Sequence, residues 1–492
     1  MRFAQDRVLK KERVGLYKNL FFDDQRLFVR DNAVRGYGEP ELIEIYNDGV
    51  SAPCVESPYV FATDDGKYRM LYQGKISDVE GYSLFIAVSD DGIHFKPEDI
   101  SEKRELSGAL APHQVMALPD NEIAYIIEDK INDPGERYKL LKTTLDSENI
   151  YISDTVMVSD DLIHWKELAD VCWHERGTEP CTGVFYNEYR KCFTIITRPV
   201  WGNRQVGYVE TQDWRTFTDF RLCMQCDSLD APLEEIYGMP AFSYDGWKIG
   251  FTYIYGALEN LHGAKFIGGT VKAQLSYSWD GMHWQRSLRT PFLAGNMKTV
   301  TELAGVSYNL VWPAYIIRRD EEILIYAAAA TAEHGTAFDG KTRADILVFR
   351  LREDGFIRME NGDKTKPAVI ATRENAWNGG EVHINIAAEK ATVAIYRSEK
   401  DAYVGGWSEM LPEYSHENCI PFSGDSTDWI PQFKNGKKLD DLKGQTICIE
   451  VKFENGKLYS VSGDCVPLMN TEAAVFRKNG KLPPCEVLYN KE

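Results

Sequence analysis

The stretch Ser89-Asp-Asp-Gly-Ile-His-Phe95 decides the fold, because it recurs. It returns as Ser159-Asp-Asp-Leu-Ile-His-Trp165 and as Ser278-Trp-Asp-Gly-Met-His-Trp284. A looser copy is Thr211-Gln-Asp-Trp-Arg-Thr-Phe217. Each reads Ser/Thr-x-Asp-x-x-x-aromatic. Each follows a strand-forming run: Tyr82 to Val88, Thr155 to Val158, Gln205 to Val209, and Lys272 to Tyr277. Asp-Gly makes a tight turn, and Ser, Thr and Asp side chains bond to nearby amides. The aromatic then falls on the next short strand.

Upstream of each copy lies another pair of strand runs. They are Tyr59–Phe61 with Tyr68–Tyr72, and Gln114–Ala117 with Ile123–Ile127. Next come Gly183–Tyr186 with Cys192–Thr197, and Pro240–Ser243 with Trp247–Tyr255. A fifth set has no copy of the motif and spans Ala314–Ile317, Glu322–Ala328, Ile346–Leu351 and Phe356–Met359. Four strands per unit, at a period of roughly 50 to 70 residues, read as propeller blades. A sandwich with long loops would not repeat one turn at one fixed place. After residue 365 the pattern changes to long alternating runs, such as Thr446-Ile-Cys-Ile-Glu-Val-Lys-Phe453, joined by turns such as Glu454-Asn-Gly456. The expectation is all-β: a lead-in over 1–50 packed on a five-bladed β-propeller over 51–362, then a β-sandwich over 363–492.

With 492 residues, the chain is long enough for several cores. Its formal charge of −19 carries no cationic footprint for nucleic acid or an anionic membrane surface. Neutral or weakly charged partners fit better. Nothing reaches the apolar length of a membrane span, and Met1-Arg-Phe-Ala-Gln-Asp6 is no apolar leader, so a cytoplasmic place is expected, with a secreted form whose leader has been removed as the alternative. Cys223-Met-Gln-Cys226 stands without a second CxxC or a spaced histidine pair and reads as two unpaired thiols. No metal or cofactor is implied.

In a propeller, the residues just before each inner strand converge on the channel mouth. Here they supply Glu56, His113, Glu179, Glu235 and Tyr237, and Asn309 with Trp312. Asp230 and Glu234 compete with Glu235, since adjacent residues in extended chain point opposite ways. Glycosidic cleavage needs a general acid and a second carboxylate as nucleophile or base, so Glu56, Glu179 and Glu235 are the catalytic candidates. His113, Tyr237, Asn309, Trp312 and His334 are the candidates for sugar contacts. Each has a structural alternative: Glu56 as a turn residue, the histidines as satisfied polar groups, Trp312 and Tyr237 as core. The repeated turn is scaffold.

These segments resemble the five-bladed propeller glycoside hydrolases, the group of β-fructofuranosidases, α-arabinofuranosidases, β-xylosidases and mannoside phosphorylases. Ser89–Phe95 and Ser278–Trp284 look like that group's blade turn. Glu56-Ser-Pro-Tyr-Val-Phe61, followed by Gly66-Lys-Tyr-Arg-Met-Leu-Tyr-Gln73, looks like the first-blade segment of invertase-like members. Glu56 falls at their nucleophilic Asp. Thr178-Glu-Pro-Cys-Thr-Gly-Val-Phe185 is similar to their Arg-Asp-Pro segment, which puts Glu179 at the transition-state stabiliser and Thr178 at the Arg. Glu235-Ile-Tyr-Gly-Met-Pro240 resembles the segment carrying the acid, although strict spacing puts Gly238 there. The resemblance implies a glycoside hydrolase acting on an oligosaccharide or glycan, exo-acting on a furanoside such as a fructoside or arabinoside. It also admits a phosphorylase, with phosphate cradled by Arg198, Arg204, His113 and His334. A non-catalytic carbohydrate-binding propeller is the third reading. Oligomeric state stays open.

Overall fold

The computed structural model describes residues 17–481, apart from 55–56, 80, 105, 107, 119–121, 132–133, 146–150, 169–177, 189, 200–203, 258–267, 294–300, 335–341 and 399–408. The described chain is almost entirely β, as expected, with one α-helix, Asn470–Asn479, among the described residues. It divides into two compact units, Pro40–Leu351 and a second made from Met1–Glu39 with Arg352–Glu492.

The unit Pro40–Leu351 is assembled from antiparallel groups of similar make. The first joins Tyr59–Ala62, Tyr68–Ile76 and Tyr82–Ser89, extended by Ser51–Pro53, Lys96–Pro97 and Gln114–Leu118. The second runs Glu122–Glu128, Tyr138–Leu145, Tyr151–Ser159, Lys166–Glu167. The third runs Thr178–Asn187, Cys192–Pro199, Val206–Thr211, Arg221–Met224. The fourth pairs Ala241–Tyr244 and Glu234–Gly238 with Trp247–Ala257, then adds Gly269–Ser278 and Gln285–Arg286. The fifth runs Leu310–Arg319, Glu322–Ala330, Ala344–Arg352, Glu41–Tyr46. A single pairing, Val271 with Leu310, joins the last two groups into one sheet.

The repeated turn closes the third strand of each of the first four groups. In the first copy Ser89 Oγ accepts the Gly92 amide at 3.0 Å, and Asp91 Oδ1 accepts the Ile93 and His94 amides at 2.9 Å. The other three copies repeat these bonds around Asp161, Asp213 and Asp280. The residue after the Asp is left-handed each time: Gly92, Leu162, Trp214 and Gly281 have φ of 73°, 68°, 59° and 73°. Glycine is the ordinary choice there. Leu162 and Trp214 accept the strain because their side chains are buried in the apolar core. Burial of a large side chain is worth about 2 kcal/mol, which matches a strain of 1–3 kcal/mol.

The first strands of the five groups touch in cyclic order. Tyr59 and Tyr125 meet edge-to-face at 4.9 Å. Glu122–Glu128 packs on Thr178–Asn187. A Cβ on Gly183 would lie 2.7 Å from backbone atoms of Met239 and Ala241, so only glycine permits this approach. Phe242 meets Tyr315 at 5.9 Å, and Tyr315 returns to Phe61 at 5.6 Å and Tyr59 at 6.4 Å. Tyr59, Phe61, Tyr125, Phe242 and Tyr315 thus form one aromatic cluster between these strands.

Three pairings differ from the sequence expectation. Phe356–Met359 is no part of the fifth group: Ile357–Asn361 pairs with Ala33–Tyr37 and Thr446–Pro467 in the second unit. Gln114–Leu118 does not form a hairpin with the strand that follows it. It pairs instead with Tyr82–Phe85. Lys96–Pro97 covers only Ala87 and Val88, leaving the upper edge amides of Tyr82–Ser89 to be satisfied. Gln114 adds a side-chain bond to Ser83 Oγ at 2.8 Å. The N-terminal strands divide between the units. Glu41–Tyr46 is the fourth strand of the fifth group, and the next residue, Asn47, bonds to Ala344 O and Asp345 Oδ1. Tyr17–Asn19, Leu27–Asp31 and Ala33–Tyr37 belong to the second unit.

That second unit is a nine-stranded sheet built on two long elements, Asn375–Arg397 and Thr446–Pro467. Asn375 and Ala376 lie opposite both ends of Thr446–Pro467, so the sheet curls back on itself. The helix Asn470–Asn479 is tied to the unit by a buried ion pair between Arg477 and Glu374.

Candidate active site

Glu56 lies outside the described residues. Glu179 stands on Thr178–Asn187 with its backbone opposite Arg198. Glu235 and Tyr237 stand on Glu234–Gly238, with Glu235 opposite Tyr255. His334 follows Glu322–Ala330 and donates its amide to Gly269 O at 3.0 Å. Glu234–Gly238 pairs with Trp247–Ala257 of its own group and packs on Cys192–Pro199 of the third, and His334 adds a residue from the fifth.

Tyr237 is the hub. The Arg198 guanidinium lies 4.6 Å from its ring centroid and donates from Nη1 to its carbonyl at 3.0 Å. Arg204 approaches the same ring at 5.9 Å and the Tyr255 ring at 5.1 Å. His334 Nε2 lies 3.0 Å from the Tyr237 hydroxyl, and its ring packs on Tyr255 at 4.8 Å. Arg198 is only 5% exposed and His334 6%, so their cationic and polar edges are held by surrounding structure. A guanidinium over an aromatic face gains about 1 kcal/mol, more when desolvated. Planar guanidinium forks match phosphate and carboxylate geometry.

The competing carboxylates are all occupied. Asp230 is bound by Arg286 with both contacts at 2.6 Å. Glu234 Oε2 accepts the Ala231 amide at 2.8 Å. Glu235 meets Arg204 at 2.5 Å. Of the sugar-contact candidates, Asn309 donates from its side chain to Thr331 O at 2.9 Å, and Trp312 is buried at 1% exposure opposite Ala328. Tyr255 was not among the sequence candidates, because it reads as one more alternating strand residue. Cys223 and Cys226 are free thiols packed against the apolar core, and burial pushes Cys226 up to about 12. Among the described residues no cluster of His, Cys, Asp or Glu could hold a metal, and no helix is long and apolar enough to cross a membrane.

His113 stands apart from this hub. It immediately precedes Gln114–Leu118, which pairs at the far edge of the first group, and its ring packs on Phe85. Nε2 sits 3.2 Å from Asp48 Oδ2, which also accepts from the Tyr72 hydroxyl at 2.7 Å. Burial opposes ionisation of Asp48, but His113, the Ser51 and Val50 amides and Tyr72 outweigh it and hold its pKa at about 2. A depressed carboxylate contributes stability above its unfolded value, and that stability is lost as pH falls from about 4 through about 2. The contribution is about 2 kcal/mol. Asp48→Asn should lose that much near neutral pH and show a flatter decline on acidification. Urea unfolding at neutral and acid pH checks this; a decline as steep as the wild type would contradict it.

No protein-family model matches the sequence, and no curated protein matches it. Solved structures do show distant likeness. One is described as belonging to the GH130 family of mannoside phosphorylases, which contains glycoside hydrolases that target β-1,2 mannosidic linkages in Candida mannan. It is 16% identical, covers 63% of this chain and 94% of its own, and has a TM-score of 0.39. A putative glycoside hydrolase from Parabacteroides distasonis is 15% identical, with 67% and 98% covered and a TM-score of 0.38. An N-acetylgalactosamine deacetylase from F. plautii is 11% identical, with 66% and 97% covered and a TM-score of 0.42.

Proposed function

We propose that Pro40–Leu351 forms a five-bladed β-propeller with a β-sandwich companion. We further propose that the chain cleaves a glycosidic bond in an oligosaccharide or glycan with inorganic phosphate as the attacking group. The cyclic contact of five first strands supports the architecture, as does Glu41–Tyr46 serving as fourth strand of the last group. The observation that carries the function is the convergence of Arg198, Arg204 and His334 on Tyr237. An attacking water is neutral and does not itself require such a set. A phosphate anion must be stripped of water, and cationic donors compensate. In a chain of charge −19, a local cationic set has that specific use.

In the proposed step a phosphate oxygen bonds to the anomeric carbon as the glycosidic C–O bond breaks. The bonding pair leaves with the departing oxygen, which takes a proton from a carboxylic acid. Glu179 is assigned that acid, from its register opposite Arg198. The second reading is hydrolysis of a furanoside with Glu56 and Glu179 as the carboxylate pair. It is favoured by the backbone of Glu179 lying opposite Arg198, with a further carboxylate, Glu235, beside Arg204, since hydrolysis requires paired carboxylates. The deciding experiment incubates plant and microbial oligosaccharides with the full chain, with and without phosphate. Sugar 1-phosphate formed only with phosphate is expected. Free sugar released equally without phosphate would establish hydrolysis, and no release from any substrate would point to binding alone.

A further inference from the structure

We infer that Glu235 is a positioning residue for Arg204 and not the group that protonates the leaving oxygen; this rests on the reading of the site as a phosphate acceptor. Three bonds fasten Arg204 to the strand Glu234–Gly238. Its Nη1 donates to Glu235 Oε2 at 2.5 Å, its amide donates to Glu235 Oε1 at 3.4 Å, and its carbonyl accepts the Ile236 amide at 3.2 Å. Both carboxylate oxygens therefore face Arg204. A group acting as an acid must carry hydrogen toward the leaving group, whereas here each oxygen already accepts a bond from Arg204.

The fastened guanidinium is also the one stacked between Tyr237 and Tyr255. Its Nε is buried with no hydrogen-bond partner among the described residues. A guanidinium has five N–H donors, and Glu235 takes one of them. The remaining donors keep a fixed direction because the carboxylate and the rings hold the plane. Without Glu235, Arg204 regains the rotamer freedom of a long side chain and must lose it again on binding an anion.

The test is titration calorimetry of the full chain with inorganic phosphate, together with phosphorolysis kinetics. Glu235→Gln should weaken phosphate binding ~10-fold and raise KM for phosphate by the same factor, with kcat at saturating phosphate changed less than ~3-fold. Glu235→Asp, which keeps the charge on a shorter stem, should fall between, and it serves if the Gln variant folds poorly. Arg204→Ala combined with Glu235→Gln should bind no more weakly than Arg204→Ala alone, since the two act as one unit. Binding by Glu235→Gln equal to the wild type would overturn the inference. So would additive losses in the double variant. A kcat loss of ~100-fold or more would mark Glu235 as an acid. If the wild-type chain binds no phosphate, the phosphate reading itself fails, and the inference with it.

Discussion

Arg198→Ala is expected to lower phosphate-dependent kcat/KM by ~100- to 1000-fold, the largest loss among the cationic residues. Three features set Arg198 apart. It is nearly buried, its guanidinium lies closest to the Tyr237 ring, and it bonds the Tyr237 carbonyl. Its charge therefore acts where little water screens it. Arg198→Lys keeps a cation but loses the planar fork, so it should recover only part of the activity. Thermal unfolding of both variants separates lost chemistry from lost packing, because truncation also strips a donor from a carbonyl at the strand junction. Wild-type turnover by Arg198→Ala would remove the phosphate assignment.

The repeated turn was legible because its chemistry is local. Ser/Thr and Asp bond to amides two and three residues away, so the whole device lies within seven letters, and its four copies locate four strand ends. Pairing over distance was not legible. Nothing in Gln114–Leu118 says that it satisfies the bare edge of Tyr82–Phe85, and two short runs in succession look like a hairpin. Glu41–Tyr46 likewise meets Ala344–Arg352 from the other end of the chain, with no local mark of its partner.

The site divides the same way. Residue type and a place before a strand nominated Glu235 and Tyr237, a place after the second strand of the fifth set nominated His334, and the structure brings these together. What each one touches could not be read. Arg204 lies 31 residues from Glu235, and only folding makes them partners. His113 carried the same pattern of position and type, yet the edge pairing of the strand that follows it commits it to Asp48. Asp48 is the middle residue of a plain Asn-Asp-Gly turn, so the burial of its carboxylate had no signal in the sequence.

Glu179→Gln should lower turnover of an unactivated oligosaccharide by ~100- to 10,000-fold, the range that a positioned general acid supplies. Glutamine keeps the shape and the hydrogen-bonding reach of glutamate, so the strand Thr178–Asn187 and its pairing with Cys192–Pro199 should survive. The discriminating readout is the leaving group. An aryl glycoside whose phenol departs without protonation needs no acid, so the same variant should retain most of its activity toward it. Phosphate affinity should change little, because Arg198 and Arg204 are untouched. A transition-state stabiliser would behave differently, losing activity toward both substrates alike. Glu56→Gln, placed in the same comparison, tests the hydrolytic reading: a nucleophile is needed whatever departs, so its loss should show on the activated substrate as well. Unchanged turnover in both variants would leave the site without either carboxylate, and the glycosidic reading would fall with them.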